Sequence, residues 1–535
     1  MRRRLSRLLA ALEGLAGRPL GAVILFASAL GMWVVQAQGW PLAPGRDLDE
    51  YLYGYIQLFD RHPLLPWSLE FRTPVAGLVT GTALDTAGGM FAEPLVAVFY
   101  AGSIVLWSAA ALHFGRRAAL AMAVAMLIFP GYAGMFHELG AEMVLGLAFA
   151  GWAFLVCRAI GRPTTGRFVA VGLGIALLAL IRPGNAVVVV LALCPLLLRA
   201  SWRRRFTYAA AAVVAAVVPL LGWTLHNGLI VGDYTFARGV KAIVPFYRAF
   251  VTDHVVEPDN GPSSRRLAAA IERGLVTKEP FRSYGVTTDK LFARPSFRVH
   301  EHLMLFSDEE WGWDNAYATL RGAALEGIRK HPGAYASGVL DTLYHELNDF
   351  YFRLGGGGPQ PAPPATVVVN GRRLEAPSEG QIIPGGQNIW ISTPDNRIRQ
   401  VWTSPSRYHF VFAYPSDRPR FERVTRRLDT LMSAFPDRNA SPEVALRFTQ
   451  LSRWFPRPLM WLAIGLVALI VRRPRNSLAL VVTALAALLV VGATALGLPI
   501  AMHYVLPFAP ALVFLAICAV LGPRALGERR PADIG

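Results

Sequence analysis

Residues 477–497 read SLALVVTALAALLVVGATALG, an uninterrupted run without one charged side chain. An α-helix needs about 20 apolar residues to cross the hydrocarbon core of a bilayer. The arginine-rich segment 472–475 precedes this run, and such clusters are typical of the cytoplasmic side of a membrane protein. The stretch therefore predicts a membrane-spanning helix that begins on the cytoplasmic side.

Nine other stretches are apolar enough to be interpreted as spans in the same way. The fifth and sixth of the ten are short and meet at Pro183-Gly184, a pair that breaks helices. We therefore expect a tight hairpin of two short spans at that point. The ten predicted spans cover 20–38, 90–114, 118–136, 139–158, 168–182, 185–198, 206–229, 457–471, 477–497 and 500–521.

The arginines indicate how these spans are oriented. Clusters lie at alternate ends of the spans, and all of them fall in the cytoplasm if both chain termini are cytoplasmic. We expect a multi-pass protein of the inner (cytoplasmic) membrane, with polar segments 39–89 and 236–455 on the outer, periplasmic side. The clusters occupy 2–4, 116–117, 158–167, 199–205, 472–475 and 524–530.

The composition agrees with a membrane protein. The 535 residues are 53% hydrophobic and 17% charged, whereas an average soluble domain has roughly 25% charged residues. The formal net charge of +17 resides mostly in short clusters between apolar runs, which indicates membrane topology and no nucleic-acid partner. The cysteines Cys157, Cys194 and Cys518 all lie in apolar runs, so no disulfide is expected in the polar segments.

The sequence divides into three parts. An N-terminal transmembrane module of about seven spans covers 1–235, and a C-terminal module of about three spans covers 456–535. We call residues 39–89 the first loop and residues 236–455 the polar domain. The polar domain is expected to be mixed α/β, with helices at 314–330, 332–353 and 418–434, a Gly/Pro-rich break at 355–364, and a hairpin at 366–375 around the Asn370-Gly371 turn signal.

The first loop contains three acids, Asp47, Asp49 and Glu50, directly after a predicted span. Carboxylates held at a membrane interface can act as a general base or bind a cation such as Mg²⁺ or Mn²⁺. Acids are equally common in the first turn of a helix, where they interact favourably with the helix dipole. The pattern leaves both interpretations open.

Further charged residues are predicted at the same outer face. Glu70 and Arg72 could pair with each other, or Arg72 could bind a phosphate bidentately. Glu142 begins the fourth predicted span, where an ionisable group is costly and therefore a candidate for function. Glu138 lies closer to water, and Arg182 could either serve the site or anchor the hairpin to lipid headgroups.

Two segments with histidine complete the candidate set. His226 and Asn227 lie where the chain leaves the seventh predicted span, and His503 and Tyr504 lie at the last outer turn. An interfacial tyrosine is also an ordinary aromatic-belt residue. The sequence has no Walker loop, no Cys/His zinc spacing, no G-x-S-x-G elbow and no dinucleotide-binding fingerprint, so nucleotide-driven chemistry is not expected.

In their order, these motifs resemble the glycosyltransferase C superfamily, and within it the protein O-mannosyltransferases and the lipid A aminoarabinose transferases. Asp49-Glu50 looks like the Asp-Glu pair of their first outer loop. Histidine replaces the usual arginine at 226 and 503. The other matches are Glu70 with Arg72-Thr73-Pro74, Glu138 or Glu142 in the second outer loop, Arg182-Pro183 after span five, His226-Asn227 and Gly232 after span seven, and His503-Tyr504-x-x-Pro507-x-x-Pro510.

The resemblance implies a GT-C-like fold and transfer of a sugar, with inversion, from a polyprenyl-phosphate-linked donor to a glycan, lipid or protein acceptor. It implies that Asp49, assisted by Asp47 and Glu50, is the catalytic base, and that Arg72 and Arg182 neutralise the leaving phosphate. The remaining matched residues would bind substrate. No cofactor is required, although the acids could hold a divalent cation. The alternatives are a lipid or polysaccharide transporter or flippase, and a non-catalytic envelope assembly protein.

Overall fold

The computed structural model describes residues 12–349, 366–369, 372–377, 381–384, 393–405, 407–435, 438–498 and 502–523. Within these residues the chain is mainly helical and contains three two-stranded sheets. Four predicted features lie outside the described residues: the arginines at 2–4, the break at 355–364, the Asn370-Gly371 turn, and the cluster at 524–530.

The described part of the chain contains five helices that are long and apolar enough to cross a bilayer: Pro19–Ala37, Gly89–Leu112, Ala141–Gly161, Trp202–Ile230 and Ser477–Gly497. A sixth candidate is bent by 60° between Arg116–Leu127 and Pro130–His137, because Pro130 cannot continue the hydrogen-bond ladder of the first segment. The protein is therefore a multi-pass membrane protein. Four shorter apolar helices lie at the other predicted spans, and the count of ten spans stays a prediction: Thr165–Ile181, Pro183–Leu197, Pro458–Arg472 and Pro510–Leu521.

The chain breaks at Pro183, where the sequence predicts a break. Helix Thr165–Ile181 ends there, Arg182 is extended, and Pro183–Leu197 continues as a 3₁₀ helix of 15 residues. A 3₁₀ helix rises about 2.0 Å per residue, against about 1.5 Å in an α-helix. This short segment therefore reaches about 30 Å, the thickness of the hydrocarbon core.

The membrane helices share one apolar core. The ring of Trp107 lies 5.7 Å from that of Phe149 and 5.6 Å from that of Phe514, which places the last helix, Pro510–Leu521, at the centre of the bundle. Gly172 permits a close helix crossing, because a Cβ atom there would lie 2.2 Å from the carbonyl oxygen of Ala212. Small residues at such crossings are typical of membrane helices.

A short parallel ladder joins the first loop to the next predicted outer turn. Strand β1 (Ala43–Pro44) pairs with β2 (Glu138–Leu139), and the N–H of Gly45 donates to the carbonyl oxygen of Leu139 at 2.9 Å. A Cβ atom on Gly45 would lie 2.6 Å from that oxygen, so only glycine fits. The ladder holds the acidic segment against the chain that leads to Glu142. The helices of the first loop are Leu48–Gln57, Pro66–Phe71 and Pro74–Ala87.

The polar domain is mainly helical in its described residues. Its strands form two antiparallel hairpins, β3 (Thr366–Val369) with β4 (Arg372–Glu375) as predicted, and β5 (Ile398–Ser404) with β6 (Arg407–Phe412). The mixed α/β class is not established by such short hairpins. Its α-helices are Arg238–Ile243, Pro262–Ala270, Thr288–Ala293, Phe297–Trp311, Ala318–Lys330, Pro332–Asn348, Asp417–Met432 and Pro442–Ser452, with short 3₁₀ or π segments at Arg248–Thr252, Ile271–Leu275 and Trp313–Asn315.

The polar domain has its own apolar core, which includes side chains of the first loop. Trp67 and Phe71 are buried beside Phe246 and Phe250 of the polar domain. Since Arg72 directly follows Phe71, this packing fixes the backbone from which the Arg72 side chain extends. The first loop is thus held between the membrane helices and the polar domain.

Arg248 ties the polar domain to the membrane helices. The side chain is fully buried, and its Nε donates to Oδ2 of Asp253 at 2.9 Å. Its Nη1 donates to the carbonyl oxygens of Ala495 and Leu498, where helix Ser477–Gly497 ends. A guanidinium at this position satisfies carbonyls that have no partner within the helix and complements the negative end of the helix dipole. The polar domain therefore lies at the C-terminal end of that helix.

Candidate functional site

Three acids of the first loop surround the start of helix Leu48–Gln57. Asp47 precedes the helix in a left-handed conformation with φ of 57°, a region that aspartate tolerates better than most residues. Asp49 and Glu50 occupy the first helical turn, so the helix-start interpretation of the sequence holds for the backbone. Contacts from other elements decide what else the acids do.

Arg72 binds two of the three acids. Its Nη2 donates to Oδ2 of Asp47 at 2.9 Å, and its Nε donates to Oε2 of Glu50 at 2.7 Å. The Arg72 and Glu50 side chains are 12% and 5% exposed, so this is a largely desolvated ion pair. In the described residues Asp49 forms no ion pair, and its side chain is partly accessible to solvent. Asp49 is therefore the acid of the three that is partly accessible and not bound by Arg72.

The environment makes these acids harder to ionise. Burial raises the pKa of Asp49, and the nearby charge of Asp47 raises it further. Burial also raises the pKa of Glu50 to about 7, with Asp47 again adding to the effect and Arg72 opposing it. These pKa values are raised because the site is largely dry and several carboxylates share one guanidinium. Raised carboxyl pKa values of this kind suit groups that exchange protons near neutral pH.

A second ion pair lies at the start of helix Ala141–Gly161. Nη2 of Arg182 donates to Oε1 of Glu142 at 3.0 Å, and both side chains are less than 10% exposed. The Arg182 guanidinium also lies 3.9 Å from the centroid of the Tyr504 ring, in cation–π geometry. This contact brings the predicted fourth, fifth and last spans together at one point.

Tyr51 connects the two arginine pairs. Its ring centroid lies 5.5 Å from the guanidinium carbon of Arg72. Burial raises its pKa to about 12, against an opposing effect of the charges of Arg182 and Arg72. Among the described residues the Tyr51 hydroxyl has no hydrogen-bond partner. Tyr51 therefore lies against Arg72 and within reach of the charge of Arg182.

The last predicted outer turn also contacts the first loop. Nη1 of Arg46 lies 3.2 Å from Nε2 of His503, and the His503 ring lies 4.2 Å from that of Tyr504. The sequence places these segments at one face, and the structure brings them into contact. The predicted residues gathered here are Asp47, Asp49, Glu50, Arg72, Glu142, Arg182, His503 and Tyr504.

The expected pairing of Glu70 with Arg72 is wrong. Helix Pro66–Phe71 ends between them and Arg72 is extended, so their side chains take different directions. Glu70 is fully buried, and neither carboxylate oxygen has a hydrogen-bond partner in the described residues. Burial, with the charge of Asp233, raises the pKa of Glu70 to about 9. This side chain is therefore held as a neutral acid.

The sequence did not reveal the buried cluster near Glu70. Nη2 of Arg238 donates to Oδ1 of Asp308 at 2.6 Å, and the Tyr317 hydroxyl donates to Oδ2 of Asp308 at 2.9 Å. The Arg238 guanidinium lies 3.7 Å from the centroid of the Trp313 ring. Arg238 is 70 positions from Asp308 in a segment without a recognisable motif, so no sequence signal could have paired the two.

His226 and Asn227 make local contacts. Nδ2 of Asn227 donates to the carbonyl oxygen of Thr235 at 2.9 Å and fixes the turn after helix Trp202–Ile230. The His226 ring stacks on Trp223 at 4.9 Å. Within the described ranges neither side chain hydrogen-bonds to the acids or arginines of the site. Glu138 is half-buried in β2.

The described residues contain no group of three or more His, Cys, Asp or Glu side chains that could hold a metal ion. Asp47 and Glu50 are bound to Arg72. A divalent cation held by the acids stays a prediction.

Comparison with known proteins gives one solved structure to describe. No family model matches the chain, and no curated protein matches it. The chain is similar to the crystal structure of ArnT from Cupriavidus metallidurans bound to undecaprenyl phosphate, with 15% identity over 94% of this chain and 78% of that chain, and a TM-score of 0.35. Since a TM-score of 0.35 is low, the function proposed below rests on the residues of this chain.

Proposed function

We infer that this protein is a membrane glycosyltransferase that moves a sugar from a polyprenyl-phosphate-linked donor to an acceptor at the extracytoplasmic face. The observation that supports this most strongly is the convergence of Asp49, a partly accessible carboxylate, with two buried arginines, Arg72 and Arg182. Such a transfer needs a base for the acceptor and positive charge for the leaving phosphate.

Arg182 has N–H groups without a hydrogen-bond partner among the described side chains. Nε and Nη1 of Arg182 are buried and have no hydrogen-bond partner in the described residues. Unsatisfied buried donors cost about 1–3 kcal/mol or more when charged. A phosphate oxygen bound beside Arg182 would remove that cost. Arg72, although held by Asp47 and Glu50, supplies a second positive charge at the same site.

Asp49 is the proposed general base. It accepts the proton of the acceptor hydroxyl as that oxygen bonds to the anomeric carbon, and the bond from this carbon to the phosphate oxygen breaks. The phosphate leaves with the electron pair, beside Arg72 and Arg182. Attack on the face opposite the leaving group inverts the anomeric centre.

Other residues hold this arrangement in place. Glu142 orients Arg182 through their 3.0 Å ion pair, and Tyr504 covers the same guanidinium. His503 is proposed to steady the phosphate together with Arg46. Contacts with the donor or the acceptor stay predictions for four further residues: Glu70, Glu138, His226 and Asn227.

The scheme requires no cofactor. A Mg²⁺ or Mn²⁺ ion held by the acids would be revealed by loss of turnover on chelation. We also propose that the protein resides in the inner membrane, with the polar domain in the periplasm and both termini cytoplasmic.

Purified protein in liposomes tests the proposal without knowledge of the sugar. The liposomes would contain extracted polyprenyl-phosphate-linked sugars and envelope glycolipids, and mass spectrometry would follow free polyprenyl phosphate. A glycosyltransferase releases this lipid and adds mass to an acceptor. A transporter or flippase would move the donor between leaflets uncleaved, and an assembly protein would do neither; both results would overturn the proposal.

A further inference from the structure

We propose that the polar domain contains a separate binding pocket for an anionic saccharide. The pocket lies between helix Phe297–Trp311, the segment around Lys278, and strand β5, and its volume is about 410 Å³. This volume falls within the range of small-molecule sites in proteins, about 300–1,000 Å³. None of its lining residues belongs to the site of Asp49 and the arginines.

One wall of the pocket is aromatic. The half-buried ring of Trp402 lies 5.9 Å from His302 and 5.1 Å from Tyr408, so neighbouring rings hold it in place. Phe306 also lines the pocket. A tryptophan offers a large, rigid, apolar face, and the C–H face of a pyranose ring can stack against it.

The lining also contains polar side chains, and one of them, Gln400, lacks hydrogen-bond partners within the described ranges. Both side-chain atoms of Gln400, Oε1 and Nε2, are buried without a hydrogen-bond partner in the described residues. An amide needs a donor and an acceptor, and leaving both unmet is costly. Sugar hydroxyl groups donate and accept, so adjacent hydroxyls would satisfy both atoms. Asn396 lines the pocket as well.

The charges of the pocket favour an anionic sugar. Two of its basic residues are already paired, Arg282 with Glu279 at 2.8 Å and Lys278 with Glu309 at 3.3 Å. Arg399 also lines the pocket, is exposed, and forms no ion pair in the part of the chain that the structure describes.

The histidine in the wall adds no further charge. Burial, together with the charge of Arg298, lowers the pKa of His302 to about 3, so its ring is neutral at physiological pH. One positive charge of the pocket therefore remains unbalanced, and it belongs to Arg399. A guanidinium binds a carboxylate or phosphate bidentately.

The pocket adjoins the first loop through its hairpin. The ring of Phe410 on β6 lies 4.7 Å from that of Phe421 on helix Asp417–Met432, and this helix packs against helix Leu48–Gln57. A saccharide bound at Trp402 is therefore anchored on a hairpin that helix Asp417–Met432 links to the helix of Asp49. Its role as an acceptor rests on the proposed function, whereas binding itself does not.

Binding can be measured on the full-length protein in detergent by saturation-transfer NMR, with trigalacturonate as the anionic probe and maltotriose as its neutral counterpart. We expect trigalacturonate to bind more tightly than maltotriose. Trp402→Ala should weaken binding of trigalacturonate by about tenfold, the effect of losing roughly 1.4 kcal/mol. Arg399→Ala should weaken trigalacturonate by about tenfold and leave maltotriose unchanged.

Arg407→Ala is the matched control, since Arg407 is an exposed arginine on the same hairpin that does not line the pocket. It should bind both sugars like the wild type. The proposal is overturned if neither sugar binds up to about 10 mM, a limit of roughly −3 kcal/mol, or if Arg407→Ala has the same effect as Arg399→Ala. Equal binding of the two sugars would overturn the anionic preference. If the protein cleaves the donor but binds neither sugar, only the proposed pocket is contradicted. If it binds the sugar but does not cleave the donor, only the proposed function is contradicted.

Discussion

The Arg182 guanidinium lies 3.9 Å from the centre of the Tyr504 ring. Arg182 follows helix Thr165–Ile181 and Tyr504 precedes helix Pro510–Leu521, so this contact joins the N-terminal and C-terminal modules. A desolvated cation–π contact contributes about 2 kcal/mol. The ring also helps to hold Arg182 where its remaining N–H groups can meet a phosphate.

Tyr504→Phe should therefore keep most activity, because the ring remains, whereas Tyr504→Ala should lower turnover about tenfold or more. Steady-state release of polyprenyl phosphate by the two purified variants measures the difference. Equal loss in both variants would show that the hydroxyl group matters and that the ring contact does not.

Glu70→Gln should change how stability depends on pH. In the folded protein the pKa of Glu70 is raised to about 9 by burial, while in the unfolded chain it is near its ordinary value of about 4.5. Between these values only the folded state holds the proton, so stability falls as pH rises from about 4.5 to about 9.

The glutamine cannot ionise, so this loss should be absent from the variant. Melting temperatures in detergent at pH 5 and pH 9 should differ less for Glu70→Gln than for the wild type. Glu443→Gln, a change at an exposed residue, serves as the control and should follow the wild type. If the melting temperature changes equally between pH 5 and pH 9 in all three proteins, Glu70 is not a neutral buried acid.

Single cysteines can test the predicted sidedness. The native Cys157, Cys194 and Cys518 are buried, so an added cysteine should be the main site of labelling. In spheroplasts, Arg61→Cys and Gly184→Cys, both at exposed positions, should react with a membrane-impermeant maleimide. Arg162→Cys, at an exposed position in a predicted cytoplasmic turn, should react only after lysis. Labelling of positions 61 and 184 from opposite sides would rule out a shared site.

The membrane helices could be predicted from sequence because a span needs about 20 apolar residues. This requirement can be recognised in each segment without knowledge of the rest of the chain. The break at Pro183 and the hairpin of β3 and β4 are likewise set by local residues. The 3₁₀ winding of Pro183–Leu197 was not predictable, since no local pattern separates it from a short α-helix.

The site was only partly predictable for a related reason. The predicted topology places Asp49, Glu142 and Arg182 at one face, but the partners of a side chain depend on packing between distant segments. Glu70 shows this most clearly, because the adjacent Arg72 is an obvious partner in sequence and turns away in the structure. The Arg238–Asp308 pair lies in a domain where no motif points to it.

The central claim is that Asp49 is the base of a sugar transfer from a polyprenyl phosphate. Its most direct test is turnover of reconstituted Asp49→Asn beside Asp60→Asn, an exposed acid of the same loop. Loss of a general base should lower the rate of polyprenyl phosphate release by about 10²–10⁴ in Asp49→Asn, while Asp60→Asn stays near wild type. Wild-type turnover by folded Asp49→Asn would contradict the account.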